Sequence, residues 1–134
     1  MSLQYSPKNN PRVIVIQKLY GKYFNKDESL TFPKHRFKKF IKDVVKGTIE
    51  RDEVINEEMS NHLNTDLDIK KIDKVFHVIM KSAIFELLYK PKISSKIIIN
   101  EYLKASNFFI DERQTKYLNA LLDKISKKIR FSNE

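Results

Sequence analysis

A chain of 134 residues is long enough for one domain with a buried core, and hydrophobic residues make up 41% of it. The absence of cysteine excludes disulfides, thiolate metal sites and cysteine nucleophiles, and the first residues lack the apolar core of a signal peptide. No apolar run approaches the roughly 18 residues that a membrane span needs. We therefore expect a cytoplasmic protein that does not enter a membrane.

The formal net charge of +9 is unevenly distributed along the chain. Residues 50–68 hold seven acids and one base, whereas residues 74–130 hold twelve bases and five acids. Such a division indicates separate acidic and basic surfaces, and a basic surface attracts phosphate polymers. A lysine-rich composition alone also gives a positive charge, so the charge favours a nucleic-acid partner only in combination with other features.

The first half of the chain predicts three helices. Asn10 followed by Pro11 is typical of a helix start, in which a side-chain cap precedes proline at the first helical position. A second helix is predicted by the apolar stripe that begins at Phe37 and ends at Ile49, and a third, acidic helix is predicted over residues 52–63. The stripe of the first helix consists of Val13, Ile16, Leu19, Tyr20, Tyr23 and Phe24.

The second half predicts three more helices. Residues 72–89 are apolar around most of the helix circumference, which is typical of a helix in the middle of a fold. Ser94 and Ser95 are plausible caps for the next helix, and Asp111 with Gln114 resembles the capping box of a last one. With only two glycines available for turns, the chain predicts an all-α domain spanning residues 1–134, with about six or seven helices and flexible ends at about residues 1–9 and 131–134.

The residue pattern argues against an enzyme. Two glycines cannot build a glycine-rich phosphate loop. The histidines His35, His62 and His77 lack metal-ligand spacing with one another. Glu57 and Glu58 are adjacent and face different directions on a helix, so they do not form an acid/base pair. We expect neither a catalytic site nor a metal or cofactor.

Two groups of residues are candidates for binding RNA. Lys8 and Arg12 lie at a helix N-terminus, where backbone N–H groups also favour phosphate. Arg113, Lys116 and Tyr117 place two cations beside an aromatic ring at the start of the last helix, as in sites that hold single-stranded RNA. Ordinary solvated charge explains Lys8 and Arg12 equally well, and Tyr117 is also the first position of an apolar stripe.

Glu86 is the only acid between Lys74 and Lys96, and apolar residues surround it in the chain. Burying a charge is costly unless the charge is paired. The carboxylate must therefore reach solvent, find an internal partner or face another protein, and the residues alone leave these three options open.

Three strings in the second half of the chain resemble the signature of the NusB family. They are Ala-Ile-Phe-Glu-Leu-Leu (83–88), Lys-Ile-Ile-Ile-Asn-Glu (96–101) and Lys-Tyr-Leu-Asn-Ala-Leu-Leu-Asp-Lys (116–124). The family pattern runs A-(L/I/V)-Y-E-L, K-V-x-I-N-E and K-F-V-N-G-V-L-D at this spacing. Upstream, Arg12, Gln17, Leu19 and Tyr20 match its R-x4-Q-x-L-Y helix. The resemblance covers about 110 residues.

The resemblance implies an all-α fold of two small helical bundles packed together. It also implies a transcription antitermination factor that binds the boxA RNA of ribosomal RNA operons together with the ribosomal protein NusE. With other Nus factors, such a complex keeps RNA polymerase processive. The family's RNA contacts correspond here to Lys8, Arg12, Lys116 and Tyr117, and its NusE contacts correspond to Tyr20 and Glu86.

Some residues depart from the family pattern. The N-terminal segment, usually rich in arginine, is Lys8-Asn9-Asn10-Pro11-Arg12 here, which predicts fewer phosphate contacts. Ala120 replaces a glycine, and Tyr117 replaces a phenylalanine but keeps the ring that stacks.

Three alternatives remain open. One is the NusB-like domain at the front of certain ribosomal RNA methyltransferases, for which a chain ending at residue 134 leaves no room for a catalytic domain. The second is a helical protein–protein adaptor that has lost boxA binding. The third, membrane-surface binding, would rest on the short basic stretch at residues 124–130. A homo-oligomer is compatible with all of them.

Overall fold

The computed structural model describes residues 7–27, 29–63 and 73–130. These ranges contain no strand, so the predicted all-α class is confirmed. Residues 1–6 and 131–134 of the expected flexible ends lie outside the described residues. The elements in chain order are a 3-10 turn Pro7–Asn9 and the helices α1 Pro11–Phe24, α2 Lys38–Glu50, α3 Asp52–Leu63, α4 Lys74–Tyr89, α5 Ser95–Ser106 and α6 Glu112–Arg130.

Side-chain caps fix the starts of the helices where the sequence predicts them. The Asn10 side chain accepts hydrogen bonds from the backbone N–H groups of Arg12 and Val13 (3.0 and 3.3 Å). Ser94 caps α5 in the same way by accepting from the Ile97 N–H (3.2 Å). Each cap satisfies donors that the first helical turn leaves without a partner. The predicted helix boundaries follow from this local chemistry.

The central helix of the fold is α4, which contacts each of the other five helices. This position explains why its sequence is apolar on nearly all sides. Buried apolar side chains from all six helices form one continuous cluster, so the two halves implied by the resemblance share a single core. The largest fully buried side chains are Ile16, Ile41, Ile55, Met59, Ile79, Met80, Ile84, Leu87, Ile98, Tyr102, Leu118 and Leu122.

The side-chain contacts of α4 fix the directions of its neighbours. Arg12 at the start of α1 contacts Glu86 near the end of α4, whereas Tyr23 at the end of α1 contacts Lys74 at the start of α4. Helices α1 and α4 are therefore antiparallel. Tyr117 near the start of α6 packs on Phe76 near the start of α4, so α4 and α6 run in the same direction.

Arg130, the last residue of α6, caps the C-terminal end of α4. Its guanidinium donates hydrogen bonds to four carbonyl oxygens, those of Glu86 (3.1 Å), Leu87 (2.8 Å), Lys90 (2.9 Å) and Ile93 (2.5 Å). Carbonyls in the last turn of a helix have no partner within the helix, and a buried arginine supplies both the donors and a favourable charge. Because Arg130 is buried, the basic stretch at residues 124–130 presents one exposed cation fewer than its sequence suggests.

No helix within the described ranges has the length and apolar composition needed to cross a membrane.

Candidate functional site

Arg12 and Glu86 form a buried ion pair between α1 and α4. The Arg12 Nη2 donates to Glu86 Oε1 (2.6 Å) and the Arg12 Nε donates to Glu86 Oε2 (3.0 Å). Only 9% of the Arg12 side chain and none of the Glu86 side chain is exposed. Burial lowers the pKa of Arg12, but the hydrogen bonds and charge of Glu86 outweigh it, and the pKa is raised overall. The pair with Glu86 compensates the buried charge of Arg12.

This pair bears on two expectations from the sequence. Of the three options for Glu86, the structure shows the internal partner, because its carboxylate has no exposed surface and is paired with Arg12. Arg12 lies in the lining of a groove of about 640 Å³, and its charge is already compensated, so it is not a free phosphate-binding cation. In this structure both residues connect α1 to α4, and their contacts with RNA and NusE stay predictions.

Two aromatic rings enclose the Arg12 guanidinium. The ring of Phe40 lies 4.8 Å and the ring of Tyr102 lies 5.4 Å from its central carbon, within the range of cation–π attraction. Tyr102 is completely buried, and burial, together with the charge of Glu86, raises the pKa of its hydroxyl well above the ordinary value. Sequence reasoning missed these partners, because helical periodicity shows which face is apolar and not which residue on another helix it meets.

The start of α6 presents the second candidate group. Asp111 and Gln114 form the predicted capping box, with the Gln114 N–H donating to Asp111 Oδ1 (2.8 Å) and the Asp111 N–H donating to Gln114 Oε1 (3.1 Å). Gln114 Nε2 also donates to Asp73 (3.1 Å), whose other oxygen caps α4 by accepting from the Phe76 N–H. The caps of the two parallel helices are thus hydrogen-bonded to each other, and this link fixes the position of the first turn of α6.

Tyr117 lies on the surface beside this link. Its ring stacks on the buried ring of Phe76 with a centroid distance of 5.8 Å and an interplanar angle of 27°, and 42% of the residue stays exposed. Leu118, the next residue, enters the core. Tyr117 can therefore both pack against the core and bind RNA. One face of its ring contacts Phe76, and the exposed part of the ring is accessible to a base.

The two cations beside Tyr117 are solvent-exposed. Arg113 and Lys116 lie on the outer side of α6, and Lys116 approaches Glu112 at 3.7 Å. Both side chains of that pair are largely exposed, so the attraction is weak and leaves Lys116 free to exchange its partner for a phosphate. Arg113, Lys116 and Tyr117 form the α6 group, an exposed set of two cations and one ring.

The structure separates Lys8 from the α6 group. Lys8 is exposed, and its backbone carbonyl accepts a hydrogen bond from His35 Nε2 (2.9 Å) just before α1 begins. That end of α1 lies at Glu86 of α4, whereas Tyr117 lies at Phe76, ten residues away on the same helix. Ten helical residues span about 15 Å. An RNA that contacts both must extend along the molecule.

Tyr20, the other residue implied as a NusE contact, lies on the surface of α1. It is 37% exposed and packs edge-on against Phe24 with a centroid distance of 4.9 Å, and Phe24 is itself 63% exposed. Exposed aromatic pairs are typical of protein interfaces. Tyr20 is therefore exposed and Glu86 is buried, although the resemblance implies that both contact NusE.

Comparisons with known proteins agree with this fold. The model of the NusB family matches residues 9–127. The transcription antitermination protein NusB of Rickettsia bellii is 31% identical over 126 residues, covering 92% of this chain and 81% of that protein, and the NusB of Oceanobacillus iheyensis is 35% identical over 92 residues, covering 69% and 72%. The solved structure of T. maritima NusB has the same fold, with a TM-score of 0.76, 23% identity and coverage of 95% of this chain and 98% of that chain. The chain belongs to the NusB family.

Proposed function

We propose that this protein is a transcription antitermination factor that binds boxA RNA of ribosomal RNA operons together with NusE. In this role it acts with RNA polymerase and other Nus factors to keep transcription processive. Membership of the family, whose relatives carry the name transcription antitermination protein, supports the proposal. Within the chain, the observation that carries it is the α6 group, where a supported ring stands beside two exposed cations.

In this proposal the RNA is held chiefly by the α6 group. A base stacks on the open part of Tyr117, and Arg113 and Lys116 contact the flanking phosphates, which is the usual arrangement for single-stranded RNA. Lys8 adds a phosphate contact at the far end of α4. Because Arg12 is compensated by Glu86, we expect the isolated protein to bind weakly and NusE, docked near Tyr20, to strengthen binding.

The test is RNA affinity for a boxA oligonucleotide and a scrambled one, each with and without NusE, over a range of salt. Wild type should prefer boxA when NusE is present. Lys116→Glu should weaken boxA binding and reduce the slope of log affinity against log salt by about 0.7, the value for one phosphate on a single strand. Lys128→Glu, an equal charge change at an exposed position near the other end of α6, is the matched control.

The second candidate is a helical adaptor that binds a protein partner without recognising boxA. The structure favours it at one point only, since the compensated Arg12 removes a phosphate contact that the resemblance implied. A stable complex with NusE that binds boxA and scrambled RNA equally would establish the adaptor and contradict the antitermination proposal.

A further inference from the structure

A second groove lies on the side of the molecule where α1 ends. It has a volume of about 420 Å³ and lies between the end of α1, the end of α2 and the first half of α4. Its apolar lining comes from Leu19, Ile49 and Val78. The polar lining consists of Lys22, Tyr23, Lys26, Thr48, Asp52 and Lys81. We call it the Tyr23 groove.

Tyr23 is an aromatic ring held in position by a cation. Lys74 donates a hydrogen bond to its hydroxyl, and the same ammonium lies 4.5 Å from the ring centroid. Phe24 packs edge-on at 5.4 Å, and 44% of Tyr23 remains exposed. The hydrogen bond from Lys74 lowers the pKa of the Tyr23 hydroxyl, and the charges of Lys26 and Lys81 act in the same direction. The ring is therefore surrounded by positive charge and open to a ligand.

Charge at the groove is strongly one-sided. Lys22, Lys26 and Lys81 line it and Lys74 adjoins it, whereas the one acid among the lining residues, Asp52, is paired with Lys81. The Lys22 ammonium donates a hydrogen bond to the backbone carbonyl of Lys26 (2.6 Å). A flat base can pack on the apolar lining beside the fixed ring, and the surrounding ammonium groups can donate hydrogen bonds to phosphate oxygens. This combination of stacking and charge is the one that single-stranded nucleic acid requires.

The Tyr23 groove is connected to the α6 group through the first residues of α4. Lys74, which contacts Tyr23, follows Asp73, and Asp73 accepts a hydrogen bond from Gln114 of the capping box. Tyr117 lies one helical turn beyond Gln114. The two aromatic sites therefore both lie at the first turn of α4, where Tyr23 contacts Lys74 and Tyr117 stacks on Phe76.

We propose that the Tyr23 groove is a second contact for single-stranded RNA, in which a base next to the boxA core stacks on Tyr23 and its phosphate contacts Lys26. The proposal rests on the proposed function for the RNA that arrives at Tyr117. It adds a binding site formed by α1, α2 and α4, away from the start of α6.

The experiment uses the full chain with NusE and three RNAs: a minimal boxA oligonucleotide and the same oligonucleotide extended by six uridines at the 5′ or the 3′ end. One extension should raise the affinity of wild type by roughly 5- to 150-fold, as expected for one stacked base. Tyr23→Ala and Lys26→Glu should remove this gain and leave the affinity for the minimal oligonucleotide unchanged. Lys39→Glu, an equal charge change at an exposed site at the start of α2, should keep the gain.

Photocrosslinking gives a readout that does not depend on affinity. With 4-thiouridine in the extension, ultraviolet light should join the RNA to the peptide that contains Tyr23. Because Tyr23 and Lys26 are exposed, both variants should melt like wild type.

The inference is overturned if neither extension raises the affinity, or if Tyr23→Ala retains the gain. It is also overturned if the variants weaken only NusE binding, since the groove would then belong to the protein partner. A failure of the proposed function has a different signature, because boxA and scrambled RNA would bind wild type equally. In that case, adding the same six uridines to the scrambled oligonucleotide would still test the groove.

Discussion

Arg12 and Glu86 stand 74 residues apart in the chain and form a bidentate pair in the interior, with both Glu86 oxygens engaged. Removing one partner of such a pair leaves an uncompensated buried charge and is strongly destabilising. The pair therefore stabilises the packing of α1 on α4 only when both residues are present. We therefore expect substitution of either residue to lower the free energy of unfolding, whether or not it also affects binding to RNA or NusE.

Glu86→Gln should lower the free energy of unfolding by about 3–5 kcal/mol, and for a chain of this size the melting temperature should fall by roughly 10–20 °C. Thermal melting followed by circular dichroism measures this. The double variant Arg12→Met/Glu86→Leu should recover most of the loss, because an apolar pair needs no desolvation. A Glu86→Gln protein that melts like wild type but fails to bind NusE would return Glu86 to the interface.

Tyr117→Ala should weaken boxA binding by roughly 5- to 150-fold, since a stacked base contributes about 1–3 kcal/mol. The melting temperature should change little, because the ring is 42% exposed and contacts the core through Phe76 on one face. Tyr117→Phe is the control and should bind normally, because stacking needs the ring and not the hydroxyl. A large loss of stability in Tyr117→Ala, with unchanged affinity of the folded fraction, would make Tyr117 a core residue.

Arg130→Met should destabilise the fold by about 2–3 kcal/mol, because the carbonyls at the end of α4 lose a charged donor. Urea unfolding measures the change. Arg130→Lys should restore only part of it, since a single ammonium cannot reproduce the planar donor geometry. Lys128→Met, at an exposed position of the same helix, should be close to wild type. Equal stability of Arg130→Met and Lys128→Met would contradict the capping role.

The two glycines should respond oppositely to alanine. A Cβ at Gly47 would overlap the ring of Phe85, which is buried and packs against Tyr89 at 5.2 Å, whereas a Cβ at Gly21 meets nothing within 4 Å. Gly47→Ala should therefore cost about 1–3 kcal/mol from overpacking, offset in part by helix propensity. Gly21→Ala should stabilise by about 0.5–1 kcal/mol. Chemical denaturation compares them, and a stabilised Gly47→Ala would show that Phe85 moves freely.

His77 should make stability depend on pH. Burial, reinforced by the charge of Lys81, lowers its pKa below the ordinary value of 6.5, so the folded state favours the neutral ring. The unfolded chain then binds more protons than the folded one, and this contribution is complete above pH 6.5 and is lost as the pH falls through the lowered pKa. Between pH 7.5 and 5.5, wild type should lose more free energy of unfolding than His77→Gln. Parallel pH profiles of the two proteins would contradict this prediction.

The sequence by itself determined the helices and their starts. Asn10, Ser94 and the Asp111–Gln114 box lie within three residues of the groups they cap, so the information is local and can be read from spacing. The apolar stripes likewise indicated which face of each helix enters the core, and the continuous apolar character of residues 72–89 predicted a central helix. Local spacing also brought Arg113, Lys116 and Tyr117 together at the start of α6 but left open whether Tyr117 is exposed.

Only the tertiary structure decided which residues meet across helices. Arg12 pairs with a residue 74 positions away, and Arg130 donates to a carbonyl 43 positions away, so a candidate RNA contact and the end of a basic stretch both became interior groups. The same packing placed Lys8 and Tyr117 at opposite ends of α4 and brought Tyr23 to Lys74. The periodicity of apolar residues shows which face of a helix is buried. Which residues of another helix contact that face depends on the directions in which the six helices pack.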